Sequence, residues 1–230
     1  MSFNYSPKIV TDGLVLCLDA ANIRSYSTTG TTWTDLTKNG WNGTLVNSPG
    51  FNSSNLGSIS FDGTNDYVRV SDITTITTQI TVEAWVFANS IGSYNSMVAQ
   101  YRTGNPATSS WILETFGSNA YFFIANGASL ASGSISFETG SWKHFVGTYN
   151  GSTVKLYKDS ILSPTTGTIA AMNNSSLNIN IGALYSSGGA EGSDGLWNGR
   201  ISQVKIYNRA LTDSEVLQNY NANKSRFGLT

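Results

Sequence analysis

Short β-type runs alternate with turn clusters along the whole chain, and this alternation limits the fold more than any other feature. Dipeptides such as Asn39-Gly40, Asp62-Gly63 and Asn126-Gly127 separate the runs, and such dipeptides accept the positive φ of tight turns. Many short strands joined by regular turns are typical of an all-β sandwich or barrel. The predicted strands are 14–19, 43–46, 58–62, 67–70, 80–88, 96–101, 111–116, 121–125, 134–138, 143–149, 153–158, 177–182 and 199–207.

A hairpin and a helix are the clearest local predictions. Asn150-Gly151 lies between the strands 143–149 and 153–158, which predicts a β-hairpin. Thr212 and Glu215 have the spacing of a capping box, and apolar residues follow them on a helical stripe. We therefore expect a short helix over 213–221, and no other sizeable helix.

The apolar pattern predicts different environments for two of the strands. In the strand 80–88 both faces are largely apolar, so we expect it to be covered on both sides for part of its length. In the segment 201–208, Val204 and Ile206 lie on one face and Gln203, Lys205 and Tyr207 on the other. That alternation predicts a half-buried strand.

Composition and charge exclude several classes of partner. Charged residues make up 12% of the chain, about half the usual share. The net charge of -1 provides no basic field for a polyphosphate backbone, so no nucleic acid is expected as a partner. Low charge also weakens repulsion between copies and favours self-association. No apolar run reaches the length of a transmembrane helix, so no membrane insertion is expected.

The single cysteine and the first residues bear on compartment and organisation. Cys17 lies in an apolar run and is interpreted as a buried free thiol. Residues 1–8 lack the apolar stretch of a signal peptide, so we expect folding in a reducing cytoplasm. The Gly/Ser-rich stretch 186–195 is flanked by strands and is interpreted as a long loop. A single domain over 1–230 is therefore predicted.

Candidate catalytic groups are few. His144 is the only histidine, and beside a tryptophan in a strand it is interpreted as a packed residue. Glu83, Glu114 and Glu138 are isolated acids in strands, without the alternating pair of carboxylates that retaining glycosidases commonly carry. The chain is predicted not to be an enzyme, and a glucan-cleaving glycosidase is kept as an alternative.

Candidate binding residues cluster around the long loop and at strand ends. Exposed aromatic rings can stack on sugars, and loop carboxylates can accept hydrogen bonds or bind calcium. The candidate ligand-binding residues are Tyr101, Trp111, Tyr185, Glu191, Asp194 and Trp197. The candidate calcium ligands are Asp19, Asp62 and Asp66, with bonds to turn amides as the alternative for the last two. Apart from calcium, no cofactor is predicted.

Six segments, in order along nearly the whole chain, resemble the laminin-G-like jelly rolls of the concanavalin A-like lectin and glucanase superfamily. They are DGLVLCLDAAN at 12–22, TTWTDL at 31–36 with WNGTL at 41–45, ISFDGTNDYV at 59–68, ITVEAWV at 80–86, WKHFVGTYNG at 142–151 and NGRISQVKIYNRALT at 198–212. The resemblance implies a two-sheet antiparallel jelly-roll sandwich. Since jelly rolls bring the chain ends together, the strands 14–19 and 199–207 should be neighbours.

The resemblance also implies a function. Many members bind glycans or proteins, some with calcium, and few laminin-G-like members are catalytic. Some carry an Asp where this chain has Ser202, so calcium at that edge is not expected. The opening segment looks like modules of tailed-phage virion proteins, which implies a decoration, spike or fibre-associated protein. It would be assembled in the host cytoplasm, with other virion proteins and a host glycan as partners. The alternative is a carbohydrate-binding or adhesion module of a cellular protein.

Overall fold

The computed structural model describes residues 8–127 and 129–230. Within these residues the strands form one sheet of nine strands and one of eight, and a single α-helix follows the last strand. The strands are β1 (Leu14–Asp19), β2 (Thr32–Trp33), β3 (Gly43–Val46), β4 (Gly50–Asn52), β5 (Ser58–Asp62), β6 (Tyr67–Val70), β7 (Ile80–Ser90), β8 (Tyr94–Gln100), β9 (Trp111–Phe116), β10 (Asn119–Asn126), β11 (Ser129–Ser136), β12 (Trp142–Tyr149), β13 (Thr153–Lys158), β14 (Ile161–Leu162), β15 (Gly167–Thr168), β16 (Ile179–Ile181) and β17 (Asn198–Tyr207). The helix α1 spans Asp213–Asn223, and 3₁₀ turns occur at Ser54–Leu56, Pro106–Thr108 and Lys224–Phe227.

The strand order is that of a jelly-roll sandwich. The nine-stranded sheet runs β14-β13-β12-β7-β17-β5-β4, with β1 paired to β17 and β15 to β13. The eight-stranded sheet runs β11-β10-β9-β8-β16-β6-β3-β2. All of these strand pairs are antiparallel. The all-β fold, the C-terminal helix and the pairing of the first and last long strands are therefore confirmed.

The main core lies between the two sheets. Phe122 of β10 packs directly over Gly147 of β12, where a Cβ atom would lie 2.1 Å from the ring. Val82 and Ala84 of β7 face the same core and are fully buried. Glycine at 147 therefore lets an aromatic ring of one sheet approach the backbone of the other.

The outer face of the nine-stranded sheet is covered by the C-terminal segment. Phe227 stacks on Trp85 with ring centroids 4.1 Å apart, and Asn219 of α1 is fully buried. As a result β7 is buried on both faces, as its apolar pattern predicts. The half-buried assignment of β17 is wrong, because Gln203, Lys205 and Tyr207 are also buried.

The hairpin at Asn150-Gly151 is confirmed. β12 and β13 pair from Phe145 opposite Lys158 to Tyr149 opposite Val154, and Gly151 has a φ of +97°. The Asn150 side chain accepts the amide hydrogens of Ser152 and Thr153. The turn is thus fixed by residues within it.

Two differences from the predicted strands have clear causes. β2, β4, β14 and β15 have only two or three residues each, too few to show a period of two. β11 begins at Ser129 rather than 134, because its Ser- and Gly-rich start is held by pairing with β10. None of the described helices is long and apolar enough to cross a membrane.

Candidate functional site

A shallow groove on the outer face of the eight-stranded sheet combines aromatic and titratable side chains. Its volume is about 220 Å³, below the roughly 300–1,000 Å³ of sites for drug-sized ligands. That volume suits a small ligand or one residue of a longer one. The residues that line this outer-face groove are Tyr94, Tyr101, Thr103, Gly104, Glu114, Phe116 and Leu184.

A β-bulge in β8 brings the two tyrosines onto one face. Tyr94 and Tyr101 are seven positions apart, and in a regular strand an odd separation would place them on opposite faces. The pairing of β8 with β9 shifts register between Ser96 and Val98, and both Met97 and Val98 are buried in the core. The extra residue reverses the alternation after the bulge, so Tyr94 and Tyr101 both pack against the cluster around Ile112.

Glu114 is the groove's most unusual group. It lies on β9 between Tyr121 of β10 and Ser96 of β8. Burial, with a smaller contribution from the negative charge of Asp194, raises its pKa from 4.5 to about 8. At neutral pH this carboxyl is largely protonated, so it can donate as well as accept a hydrogen bond.

Asp194 holds one wall of the groove in place. Its Oδ1 accepts the hydroxyl hydrogen of Tyr94 at 2.6 Å, and this bond, with burial, raises the Tyr94 pKa to about 12. The backbone around Asp194 pairs with Leu184. The end of the loop 186–195 therefore fixes the Tyr94 ring at the groove.

Further aromatic rings continue the surface beside the groove. Phe116 is 56% exposed and lies opposite Tyr94 across the β8–β9 pair. Tyr121 meets the edge of Phe116 at a centroid distance of 6.3 Å and stacks on Phe123 at 5.2 Å. Rings in this arrangement form a platform on which a flat apolar face can stack.

The structure brings only part of the predicted ligand-binding set together. Tyr101 lines the groove, and Asp194 contacts the groove residue Tyr94. Trp111 and Trp197 are buried in the core at 0% and 1% exposure. Neither indole can stack on a ligand from that position, so the prediction is corrected for both tryptophans.

Tyr185 and Glu191 belong to a different cluster. The Glu191 carboxylate accepts a hydrogen bond from the side chain of Asn178 and lies 3.5 Å from Nε of Arg69. The Tyr185 hydroxyl accepts the backbone amide of Asn178, and burial with the nearby Glu191 charge raises its pKa to about 12. These contacts anchor the loop 186–195 to the sheet, and a ligand role for the two residues stays a prediction.

The three candidate calcium ligands already have protein partners. Asp19 pairs with Arg226 at 2.8 Å, and Asp62 accepts the backbone amides of Thr64 and Asn65, which lower its pKa. Asp66 accepts the amide of Asp62. Within residues 8–127 and 129–230, no three His, Cys, Asp or Glu side chains converge as a metal site. Calcium binding at these carboxylates stays a prediction.

The other candidate catalytic groups lie away from the groove. His144 is fully buried and stacks on Trp85 at 4.7 Å, which confirms that it is a packed residue. Glu83 is buried beside Lys205, and Glu138 is an exposed partner of Lys158. Among Glu83, Glu114 and Glu138, only Glu114 lines one of the cavities found in residues 8–127 and 129–230.

Larger cavities elsewhere carry less chemistry. One of about 490 Å³ lies between the β12–β13 hairpin and the start of α1, lined by residues such as Thr148, Lys155 and Asp213. Another of about 540 Å³ lies beside Asn22 and Arg226. Neither has an aromatic ring in its lining, so the smaller groove is the better candidate for ligand binding.

Sequence reasoning did not place Phe116 and Tyr121 in the site and treated Glu114 only as an isolated acid. A signal was present in the period of β9, because Trp111, Leu113 and Thr115 alternate with Ile112, Glu114 and Phe116. The pattern does not say which set faces the core. The fold decides this, since the first set is fully buried.

The fold matches solved structures of low sequence identity. Domain 4 of AbnA, a GH43 extracellular arabinanase from Geobacillus stearothermophilus in complex with arabinotriose, has a TM-score of 0.70 and 17% identity, over 90% of this chain and 98% of that domain. The binding domain of botulinum neurotoxin DC in complex with SialylT has a TM-score of 0.67 and 14% identity, over 92% of this chain and 52% of that one. The Trypanosoma rangeli sialidase in complex with the inhibitor DANA has a TM-score of 0.65 and 16% identity, over 92% of this chain and 33% of the sialidase chain.

These matches show the fold, and the chain spans only about half of the toxin domain and a third of the sialidase. No curated protein sequence matches this chain. Residues 62–217, more than half of the chain, match the laminin-G-like family model described as the concanavalin A-like lectin/glucanases superfamily. The chain therefore belongs to the laminin-G-like family of the concanavalin A-like lectin/glucanase superfamily.

Proposed function

We propose that this protein is a non-catalytic binding module that holds a neutral glycan in the outer-face groove. The observation that carries the proposal is an exposed aromatic surface in the same groove as Glu114, a carboxyl whose pKa is raised to about 8. Sugar rings offer apolar faces to aromatic side chains, and their hydroxyls both donate and accept hydrogen bonds. Phe116 and Tyr94 supply the rings, and Glu114 supplies a group that can do both.

The charges of the groove favour a neutral ligand over an acidic one. Asp194 lies behind Tyr94, and its charge already opposes ionisation of Glu114. An anionic sugar would meet the same unfavourable field. The complex of the AbnA domain with arabinotriose, a neutral oligosaccharide, supports the choice of a first probe.

Isothermal titration with arabinotriose and a panel of other neutral trisaccharides tests the proposal. We expect binding to at least one of them, and about tenfold weaker binding by Phe116→Ala, since tenfold corresponds to roughly 1.4 kcal/mol. Ile161→Ala is the matched control, because Ile161 is a similarly exposed apolar residue on the nine-stranded sheet. Binding that Phe116→Ala and Glu114→Gln leave unchanged would exclude the groove.

A second candidate function is glycoside hydrolysis, and one observation favours it. Glycosidases pair an acid of raised pKa with a second carboxylate, and the charge of Asp194 contributes to the raised pKa of Glu114. The non-catalytic proposal requires that β-glucans and arabinan stay intact with the wild-type protein from acidic to alkaline pH. Release of reducing sugar that Glu114→Gln abolishes would replace it with the hydrolase.

We further propose that the module is carried on the surface of a virus particle, as a decoration, spike or fibre-associated protein. Support comes from the resemblance of residues 12–22 to modules of tailed-phage virion proteins and from the low net charge, which suits close packing with other proteins. A protein-binding role is the alternative, and the neurotoxin DC binding domain has also been solved in complex with rat synaptotagmin II. Detection of the chain in purified particles, in stoichiometric amount, tests the placement.

A further inference from the structure

A buried polar cluster beneath α1 contains an amine, an amide and a carboxyl group in contact. Lys205 of β17 and Glu83 of β7 lie directly opposite each other in the sheet, and Asn219 projects from α1 onto them. Their exposures are 2%, 1% and 0%. These three side chains lie outside both the outer-face groove and the core between the sheets.

One carboxyl group connects the other two side chains. Oε1 of Glu83 lies 2.8 Å from Nζ of Lys205, and Oε2 lies 2.6 Å from Nδ2 of Asn219. The two oxygens of a single carboxyl therefore contact a nucleophilic amine and the nitrogen of an amide. This arrangement allows a proton to move from one nitrogen to the other through Glu83.

The amide of Asn219 is also oriented and polarised. Its Oδ1 accepts the backbone amide hydrogen of Val10 at 2.7 Å, and the second hydrogen on Nδ2 is donated to the Tyr207 hydroxyl at 2.9 Å. A hydrogen bond to the carbonyl oxygen withdraws electrons from Cγ and stabilises negative charge that develops on the oxygen. His144 borders the cluster, with its Nε2 3.0 Å from Oε1 of Glu83, and Trp85 stacks on the His144 ring.

We propose that Lys205 and Asn219 form an intramolecular isopeptide bond, with Glu83 as the proton shuttle. The neutral amine attacks Cγ of Asn219, so that an Nζ–Cγ bond forms and the Cγ–Nδ2 bond breaks. Glu83 takes one proton from Nζ and delivers one to Nδ2, which leaves as ammonia. No electrons are exchanged with another molecule, and no co-reactant is needed.

Before the reaction, Lys205 and Glu83 form an ion pair, and the reaction removes both charges. Burial alone would raise the pKa of Glu83, but the attraction of Lys205 and of the nearby His144 outweighs burial and holds it below the ordinary value. Proton transfer across the 2.8 Å contact gives the neutral amine and carboxylic acid. In the product an amide replaces the buried ammonium, and Glu83 keeps the proton, so the desolvation cost of the ion pair is removed.

Folding supplies the proximity that this reaction needs. Lys205 and Asn219 belong to different elements, and Glu83 is 122 residues from Lys205 along the chain. In the folded protein the reacting groups are buried and held in contact, which gives the high effective concentration of an intramolecular reaction. The bond would tie α1 covalently to the central strand β17.

Mass spectrometry of the purified wild-type protein tests the proposal without any variant. We expect an intact mass lower than that of the sequence by one ammonia molecule. Since trypsin cleaves after Arg200, Arg209 and Lys224 but not after a modified lysine, peptide 201–209 should appear joined to peptide 210–224. A full mass with the Lys205 site cleaved and the peptides separate would overturn the proposal.

Variants separate the cross-link from other losses of ammonia. Lys205→Met and the nearly isosteric Glu83→Gln should both restore the full mass and abolish the joined peptide. Lys158→Met, at a lysine on another strand that pairs with Glu138, should keep the cross-link. An ammonia loss that persists in Lys205→Met would show that an asparagine has cyclised instead, and would also contradict the proposal.

Discussion

At the residue scale, Glu114 shows how the surroundings change the chemistry of one carboxyl group. It is an ordinary strand acid in the sequence, but in the folded protein it lies among aromatic rings with Asp194 nearby. Both factors penalise the charged form. The same residue therefore supplies a neutral hydrogen-bonding group for the proposed glycan site and a pH dependence for stability.

We expect Glu114 to make the folded protein less stable as pH rises from 4.5 to about 8. Its pKa is raised in the folded state, so in this range the unfolded chain has lost the proton that the folded chain still binds. This destabilisation develops above the unfolded pKa and levels off above the folded pKa. The urea midpoint of Glu114→Gln should lack this decline.

Glu138→Gln is the control for that measurement, because Glu138 is exposed and its pKa is lowered by its lysine neighbours. It should keep the decline of the wild-type protein between pH 4.5 and 8. If Glu114→Gln and the wild-type protein instead lose stability in parallel, Glu114 titrates normally. The outer-face groove would then carry a charged carboxylate at neutral pH.

Gly147 is a second residue whose identity is set by a single contact. An added Cβ would lie 2.1 Å from the Phe122 ring, so Gly147→Ala should lower the free energy of unfolding by about 3 kcal/mol through overpacking. Gly50→Ala is the control, since its nearest atom would be 3.7 Å away. Urea unfolding of both variants checks this, and similar midpoints would contradict the close packing of the sheets.

At the element scale, local contacts set where α1 begins, and packing against the nine-stranded sheet sets where the helix lies. Thr212 accepts the amide of Glu215, and the Glu215 side chain accepts the amide of Thr212. Along the helix, Val216 and Asn219 are buried against β17 and its neighbours, whereas Leu217 is exposed. The helix thus begins where the sequence predicts and is positioned by the sheet.

Removal of the cap should have a moderate cost. Thr212→Ala leaves the Glu215 amide without its acceptor and should lower the free energy of unfolding by about 1 kcal/mol. Leu217→Ala, at an exposed position of the same helix, should change stability little because alanine favours helix. Chemical unfolding followed by circular dichroism distinguishes the two, and equal midpoints would show that the capping box is dispensable.

At the scale of the whole molecule, the two ends of the described chain are held together. β1 pairs with β17, and Arg226 near the C-terminus forms an ion pair with Asp19 at the end of β1. The same guanidinium donates to the carbonyl oxygens of Asn55 and Gly57. One side chain therefore joins the C-terminal turn to β1 and to the turn between β4 and β5.

Arg226→Ala should remove this connection. The change removes the cationic partner of Asp19 and the donor to the Asn55 carbonyl from a mostly buried position, which should cost about 3 kcal/mol. Asp19 keeps its hydrogen bonds from Ala21 and Gln203, and the Gly57 carbonyl keeps the one from Ser202. Arg24→Ala, at an exposed arginine, should leave the melting temperature nearly unchanged. In Arg226→Ala, amide hydrogen exchange should also become faster in α1 and the last turn than in the wild-type protein, with little change elsewhere. Unchanged exchange in these two elements would contradict the role of this side chain.

The sequence by itself determined the elements whose signals lie within a few residues of each other. The Asn150-Gly151 hairpin, the capping box of α1 and the strands β1, β5 and β9 follow from turn chemistry and alternation, and the structure has them where they were predicted. The family resemblance in the order of the motifs added the pairing of β1 with β17. These features depend on local backbone preferences, so neighbouring residues suffice to encode them.

The tertiary structure alone decided which face of each strand is covered. Trp111 and Phe116 differ little as residues, yet one is in the core and the other at the outer-face groove. The bulge in β8 reverses the alternation that would otherwise separate Tyr94 from Tyr101, and α1 buries the polar face of β17. Whether a residue is buried depends on partners that are far away along the chain, so a local sequence pattern does not predict it. The candidate site could therefore be recognised only in the assembled sheets.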